Sequence, residues 1–134
     1  MGVRMRSTRV TTGGAGAPSV MDVAPTPKGC ERAIGIEDTV VGSYKEIVSY
    51  TPADEKTFSL SKILVTWKGS DEQDIAVKVD GEIVGEYHST AYVMDWFPVG
   101  IDLVGDGVKK VVIEAEAVST PATLIGFIEG QLTE

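Results

Sequence analysis

The sequence predicts an all-β protein, an antiparallel β-sandwich of jelly-roll-like type with about eight strands, preceded by an extended N-terminal arm. Three observations predict it. Apolar and polar residues alternate with period two through most of the chain beyond residue 39. Turn chemistry recurs every eight to twelve residues over that stretch, the spacing of short antiparallel strands. No segment shows the 3.6-residue apolar repeat of an amphipathic helix. At 134 residues the chain is long enough for one domain with a substantial core. We divide it into an arm, 1–38, and a sandwich, 39–134.

Residues 39–50 are rich in β-branched and aromatic side chains (Val40, Val41, Tyr44, Ile47, Val48, Tyr50), with Gly42 as a break or bulge. Thr51-Pro52-Ala53-Asp54 is a corner, Pro52 pre-setting φ. A long strand is expected over 57–68. Phe58 and Leu60 share one parity, and Ile63, Val65 and Trp67 the other. One extra residue near Ser61-Lys62, a β-bulge, would turn all five the same way. Ile75, Val77 and Val79 alternate with polar or small neighbours, and Asp80-Gly81 then joins them to a return strand, 82–87, the strongest hairpin signal in the chain.

A strand over 91–99 places Met94 and Trp96 inward, with Phe97 and Val99 on the opposite parity; Trp96, Phe97 and Val99 form a candidate contact patch. A short strand, 101–104, precedes the turn Gly105-Asp106-Gly107. In the strand 109–118, Val111, Ile113, Ala115 and Ala117 face in while Lys110, Val112, Glu114 and Glu116 face out. The last strand, 123–132, has apolar residues of both parities (Leu124, Ile125, Phe127, Ile128). Either it is central and covered on both sides, or one of its faces is an interface.

Charge is divided unevenly. The chain carries −8 overall, but residues 1–30 hold Arg4, Arg6, Arg9 and Lys28 against Asp22, giving +3, and the remainder carries −11. Gly13, Gly14, Gly16, Pro18, Pro25 and Pro27 leave that N-terminal stretch too little apolar surface to order itself. An acidic body repels phosphate, so nucleic acid is not expected as the main partner. A basic arm on an acidic body instead suits an acidic protein surface, including a neighbouring copy's. Arg4, Arg6, Arg9 and Lys28 are therefore the expected partner-binding residues.

No run of about 18 apolar residues marks a membrane span. The N-terminal arginines are followed by no apolar core of a secretory signal, and Arg6 stands where a myristoylation signal has Ser or Thr.

Chemistry is sparse. Cys30 is the single cysteine, so it closes no internal disulfide and alone makes no metal site. His88, the single histidine, reads as a turn residue with no catalytic constellation around it. No phosphate-binding, dinucleotide, metalloprotease or nucleophile-elbow motif occurs. The acidic stretch Asp71-Glu72-Gln73-Asp74 and the pair Asp102 and Asp106 are weighed as calcium ligands and set aside, because neither follows the EF-hand spacing. No catalytic residue, metal or cofactor is expected, and the chain is read as no enzyme. Trp67, Tyr87, Tyr92, Trp96 and Phe97 could stack on a sugar ring if exposed, although at strand spacing aromatic residues more often build a core.

Three runs resemble the small β-sandwich structural proteins of tailed-phage virions. They are Tyr50-Thr51-Pro52-Ala53 leading through Thr57-Phe58-Ser59-Leu60 into Ile63-Leu64-Val65, the hairpin Val77-Lys78-Val79-Asp80-Gly81-Glu82, and the final Leu124-Ile125-Gly126-Phe127-Ile128-Glu129-Gly130. The resemblance covers about residues 39–132. It implies a capsid decoration (cement) role, or one in the head, neck or tail. The partner would then be the major capsid protein or another virion protein, with a homo-oligomer, a trimer among the candidates, on the capsid surface after assembly in the host cytoplasm. It implies no catalytic residue. The competing expectation is a carbohydrate- or receptor-binding module of a tail appendage or secreted enzyme.

Overall fold

The computed structural model describes residues 29–68, 71–90 and 93–133. Nine strands follow one another: β1 (Cys30–Asp38), β2 (Lys45–Tyr50), β3 (Thr57–Trp67), β4 (Gln73–Val79), β5 (Glu82–Ser89), β6 (Val93–Trp96), β7 (Asp102–Val104), β8 (Val111–Ala117) and β9 (Thr123–Thr133). There is no helix among the described residues. One sheet has the order β1-β9-β3-β6, with β7 pairing the other end of β3, and the second has the order β2-β8-β4-β5. All these ladders are antiparallel. Because β6 and β7 share β3 as partner, they act as one interrupted strand. The resulting pair of four-strand layers has the strand order of a jelly roll.

The expected alternation builds the core. Phe58, Leu60, Ile63, Val65 and Trp67 of β3 are all buried, and the ladder to β9 shifts register between Leu60 and Lys62. The bulge read from the parity switch is therefore present, with the Ser61 hydroxyl donating to the Glu129 carbonyl at 3.1 Å. Asp80 and Gly81 both take positive φ, 51° and 83°, as a two-residue hairpin turn of type I′ requires. In β8, Val111, Ile113, Ala115 and Ala117 face in as expected.

Four expectations need correction. Residues 30–38, assigned to the arm, form a full strand paired with β9 from Cys30↔Gln131 to Asp38↔Thr123, so the sandwich begins at Cys30. The strand expected from residue 39 starts only at Lys45; Gly42, at φ 97°, turns the chain inside a Val40↔Ser43 bridge, while Val41 bridges Ala117. The strand expected over 91–99 is paired only over Val93–Trp96. Val112, expected outward and polar-facing, is 7% exposed. It stands beside Lys78 in the ladder, and the diagonal Lys78–Glu114 ion pair at 3.0 Å runs over it and the equally buried Ala76.

The sheets press closest at one corner. A bulge in β2 between Glu46 and Val48 turns both Ile47 and Val48 inward. Opposite them stand Gly35 of β1 and Gly126 of β9, paired with each other. A Cβ on Gly35 would overlap the Ile47 carbonyl oxygen, and one on Gly126 would lie 2.9 Å from Val48 Cγ1. At the open end of the sandwich, Thr39 and Gln73 are buried polar residues that satisfy one another. The Thr39 hydroxyl donates to Gln73 Oε1 at 2.8 Å and accepts from Ala122 N at 3.0 Å, while Gln73 Nε2 donates to the Thr120 carbonyl at 3.2 Å.

Candidate functional site

Register places the outward-facing side chains of the β1-β9-β3-β6 sheet in rows across the strands. One row reads Ile36, Ile125, Thr66, Val93; the next reads Ile34, Phe127, Leu64, Asp95. Ile36 is 63% exposed, and Ile34, Val93 and Phe97 are exposed too. At about 4.8 Å between strands and about 6.8 Å between rows, the six apolar residues of these two rows cover roughly 200 Å². The largest apolar patch on a typical monomer is about 300–600 Å² and is often functional, so size alone does not single this band out. The third row is charged: Arg32 and Glu129 form an ion pair at 3.0 Å beside Lys62. The Lys62 ammonium lies 5.6 Å from the centre of the Phe97 ring, which extends the band past the end of β6. No described element packs over this face.

The outer face of the β2-β8-β4-β5 sheet is chemically opposite. It presents Glu46, Asp74, Glu86, Glu114 and Glu116, with Lys78 and Lys110 paired to Glu114 and Glu46. Tyr44, Asp74, Glu86, Tyr87 and His88 line a shallow, open depression on it. His88 is on a strand, not in a turn. Its Nδ1 is 2.7 Å from Asp74 Oδ1 and its Nε2 is 3.2 Å from Glu72 Oε2. Both contacts are best made by the doubly protonated ring, so the Asp74 and then the Glu72 hydrogen bond push the imidazole above its ordinary range. Burial, and then the negative field of Asp74, Glu116, Glu86 and Glu114, push the Tyr44 phenol up.

The remaining candidates are spoken for locally. The Asp106 carboxylate accepts from the amides of Val108 and Lys109, both at 2.8 Å, and is held low by those bonds. The Asp71 carbonyl takes the Trp67 indole N–H at 3.0 Å. Among the described residues, no three His, Cys, Asp or Glu side chains are grouped to hold a metal ion. Cys30 Sγ donates to Glu129 Oε2 at 3.4 Å; burial first and Glu129 second push its thiol up to about 11.

Of the expected contact patch, Phe97 and Val99 are exposed, at 63% and 94%, but Trp96 is half-buried, its ring 5.6 Å from that of Tyr87. Trp67 is buried. Arg4, Arg6, Arg9, Lys28 and Tyr92 lie outside the described residues. A scan against models of known protein families finds no match for this chain, and a comparison with curated proteins finds none either. The sequence reading overlooked Ile34 and Ile36, because it placed them in the arm. Their alternation with Ala33 and Gly35 was the available signal.

Proposed function

We propose that this chain is a non-enzymatic structural protein that docks onto a larger particle, most specifically a capsid decoration protein of a tailed-phage virion. The observation that supports this reading is the apolar band Ile34, Ile36, Phe127, Leu64, Ile125 and Val93 on the outside of an otherwise acidic sandwich. The band supplies the desolvated centre of an interface, and the Arg32, Glu129 and Lys62 row a polar rim. The partner is the major capsid protein or another virion protein, on the capsid surface. The basic arm residues Arg4, Arg6, Arg9 and Lys28 complement acidic surface on a neighbouring copy of an oligomer. Jelly rolls also serve lectins and cupins, so the fold alone does not choose among these roles.

The test is co-sedimentation of the full chain with capsids of the encoding virus that lack it. Saturable binding at a fixed ratio to capsid subunits is expected, weakened at least tenfold by Ile36→Thr with Phe127→Thr. Absence of wild-type binding would overturn the proposal. The second reading, a carbohydrate- or receptor-binding module, draws on the depression at Tyr44, Asp74, Glu86, Tyr87 and His88, where carboxylates stand beside an exposed ring. It predicts glycan-array signals abolished by Tyr44→Ala.

A further inference from the structure

We propose that two copies of this chain pair β1 to β1 as antiparallel neighbours, joining their β1-β9-β3-β6 sheets into one continuous sheet. The inference goes beyond the docking role and does not rest on it, because it concerns the edge of β1 and its partner is a second copy.

The backbone is the first argument. β1 pairs with β9 on one side, and no described strand lies along its other side. Thr39 N donates to the Ala122 carbonyl and Leu132 N to the Gly29 carbonyl, both in the register of the β1–β9 ladder. Bonded and non-bonded pairs alternate along an antiparallel ladder, so the odd-numbered residues from Gly29 to Thr39 bond β9. Arg32, Ile34, Ile36 and Asp38 therefore direct their N–H and C=O groups to the other side. The Asp38 amide, on that side, turns to the Glu37 carboxylate at 3.3 Å. β2 lies beneath β1 rather than beside it, since the inward Cβ direction of Gly35 runs into Val48.

Regularity is the second. Strand edges are normally blunted by a bulge, a proline or a break. β2 carries a bulge between Glu46 and Val48, and β5 carries one opposite Val77 and Lys78. The edge formed by β6 and β7 is interrupted over 97–101, with Pro98 in the gap. The β1 ladder runs from Cys30 to Asp38 without a shift.

Side chains are the third. With Gly35 opposite Gly35 of the second copy, Arg32 stands opposite Asp38 and Ile34 opposite Ile36, and symmetry repeats both pairs. Opposite charges and branched apolar side chains are the cross-strand pairs that stabilise a sheet. These pairs fall where the two backbones face each other, so each exchanges two hydrogen bonds. Sliding one strand by two residues sets Glu31 opposite Glu37 in one direction and Ile34 opposite Asp38 in the other. The strand is complementary to itself in one register. That register sets the exposed Ile34 and Ile36 of both copies side by side, and the two apolar bands together cover roughly 400 Å² of one face.

The experiment is sedimentation equilibrium of the full chain and its variants. The wild type is expected to dimerise. Arg32→Asp or Asp38→Arg sets like charges opposite one another and should raise the dissociation constant at least tenfold. The two changes together restore opposite charges across the interface and should return the constant to near the wild-type value. Loss of the Arg32–Glu129 ion pair within one chain is not repaired by that exchange, so recovery reports the contact between copies. Ile36→Pro removes an amide that faces the second copy but no bond to β9, and Gly35 before it has no Cβ to clash. It should leave a monomer that is folded by thermal melting. A wild type that stays monomeric at about 100 μM, a trimer, a dimer indifferent to the single changes or to Ile36→Pro, or no recovery in the double exchange would each overturn the proposal. Capsid co-sedimentation scores the docking role separately, because the dimer requires no particle.

Discussion

Gly126→Ala tests the closest approach of the two sheets. An ideal Cβ at this position lies 2.9 Å from Val48 Cγ1, 3.1 Å from Ile47 Cγ2 and 3.5 Å from Ile113 Cδ1. Carbon atoms in good contact stand about 3.5–4.0 Å apart, so the new methyl overlaps Val48 by at least about 0.6 Å while barely touching Ile113. Overpacking of this kind costs about 1–3 kcal/mol. The smaller entropy of an unfolded chain with Ala in place of Gly returns about 0.4–1 kcal/mol. A net loss of about 1–2 kcal/mol is expected, a fall in Tm of roughly 5–15 °C for a body of this size. Val48→Ala alone removes two methyl groups from a buried site and costs about 2 kcal/mol. In the double variant the methyl added at position 126 enters the space that Val48 vacates, so its loss should fall at least about 1 kcal/mol short of the sum of the two singles. Urea melts of the four proteins measure the coupling. Additive losses would refute the packing of β2 against Gly126.

Cys30, with its thiol pushed up to about 11 from an ordinary 9.0, should react with iodoacetamide at pH 8 about 100-fold more slowly than an exposed cysteine. Glu129→Gln, which removes a neighbouring charge and an acceptor but leaves the burial, should restore part of that rate. The His88 imidazole should titrate by NMR above 6.5, and Asp74→Asn should bring it down. Its folded pKa is raised, so whatever stability it contributes is complete below about pH 6.5 and is lost as pH rises through the folded value; a contribution that grew with pH would contradict the Asp74 and Glu72 contacts. Thr39→Val deprives Gln73 Oε1 and Ala122 N of a shared buried partner, and an equilibrium urea melt should show a loss of about 1–3 kcal/mol.

The strands from β3 onward were legible because their signals are local. Parity between Phe58 and Trp67 located a bulge, and Asp80-Gly81 located a hairpin, without knowledge of any partner strand. The strand β1 was hidden because its pattern is inverted. Its inward positions hold Ala33 and Gly35, kept small by the Ile47–Val48 bulge that presses on them, and its outward positions hold Ile34 and Ile36. The alternation was visible in residues 30–38, but its sense depends on the Ile47–Val48 bulge more than ten positions away. His88 was misplaced for a similar reason. Its partners Asp74 and Glu72 reach it only once β4 and β5 pair. The ambivalent last strand is central, as one alternative had it, but is covered on one face and not on both. It is central, with Leu124 and Ile128 buried inward, and its outward Ile125 and Phe127 lie in the uncovered band.

The contrast between the two outer faces bears most directly on function. An antiparallel sheet with one face on the core normally turns polar side chains to water. The β2-β8-β4-β5 sheet follows the rule for the most part: its outward Ala76 and Val112 lie beneath paired lysines and glutamates, and Ile83 is its exposed apolar exception. The β1-β9-β3-β6 sheet departs from the rule across two rows and four strands, in a chain with acidic residues enough to have obeyed it. Folding alone does not call for isoleucine at positions 34 and 36, since the core contact of β1 is made by Ala33 and Gly35. The apolar choice at those outward positions is what the docking role proposed for this band would call for.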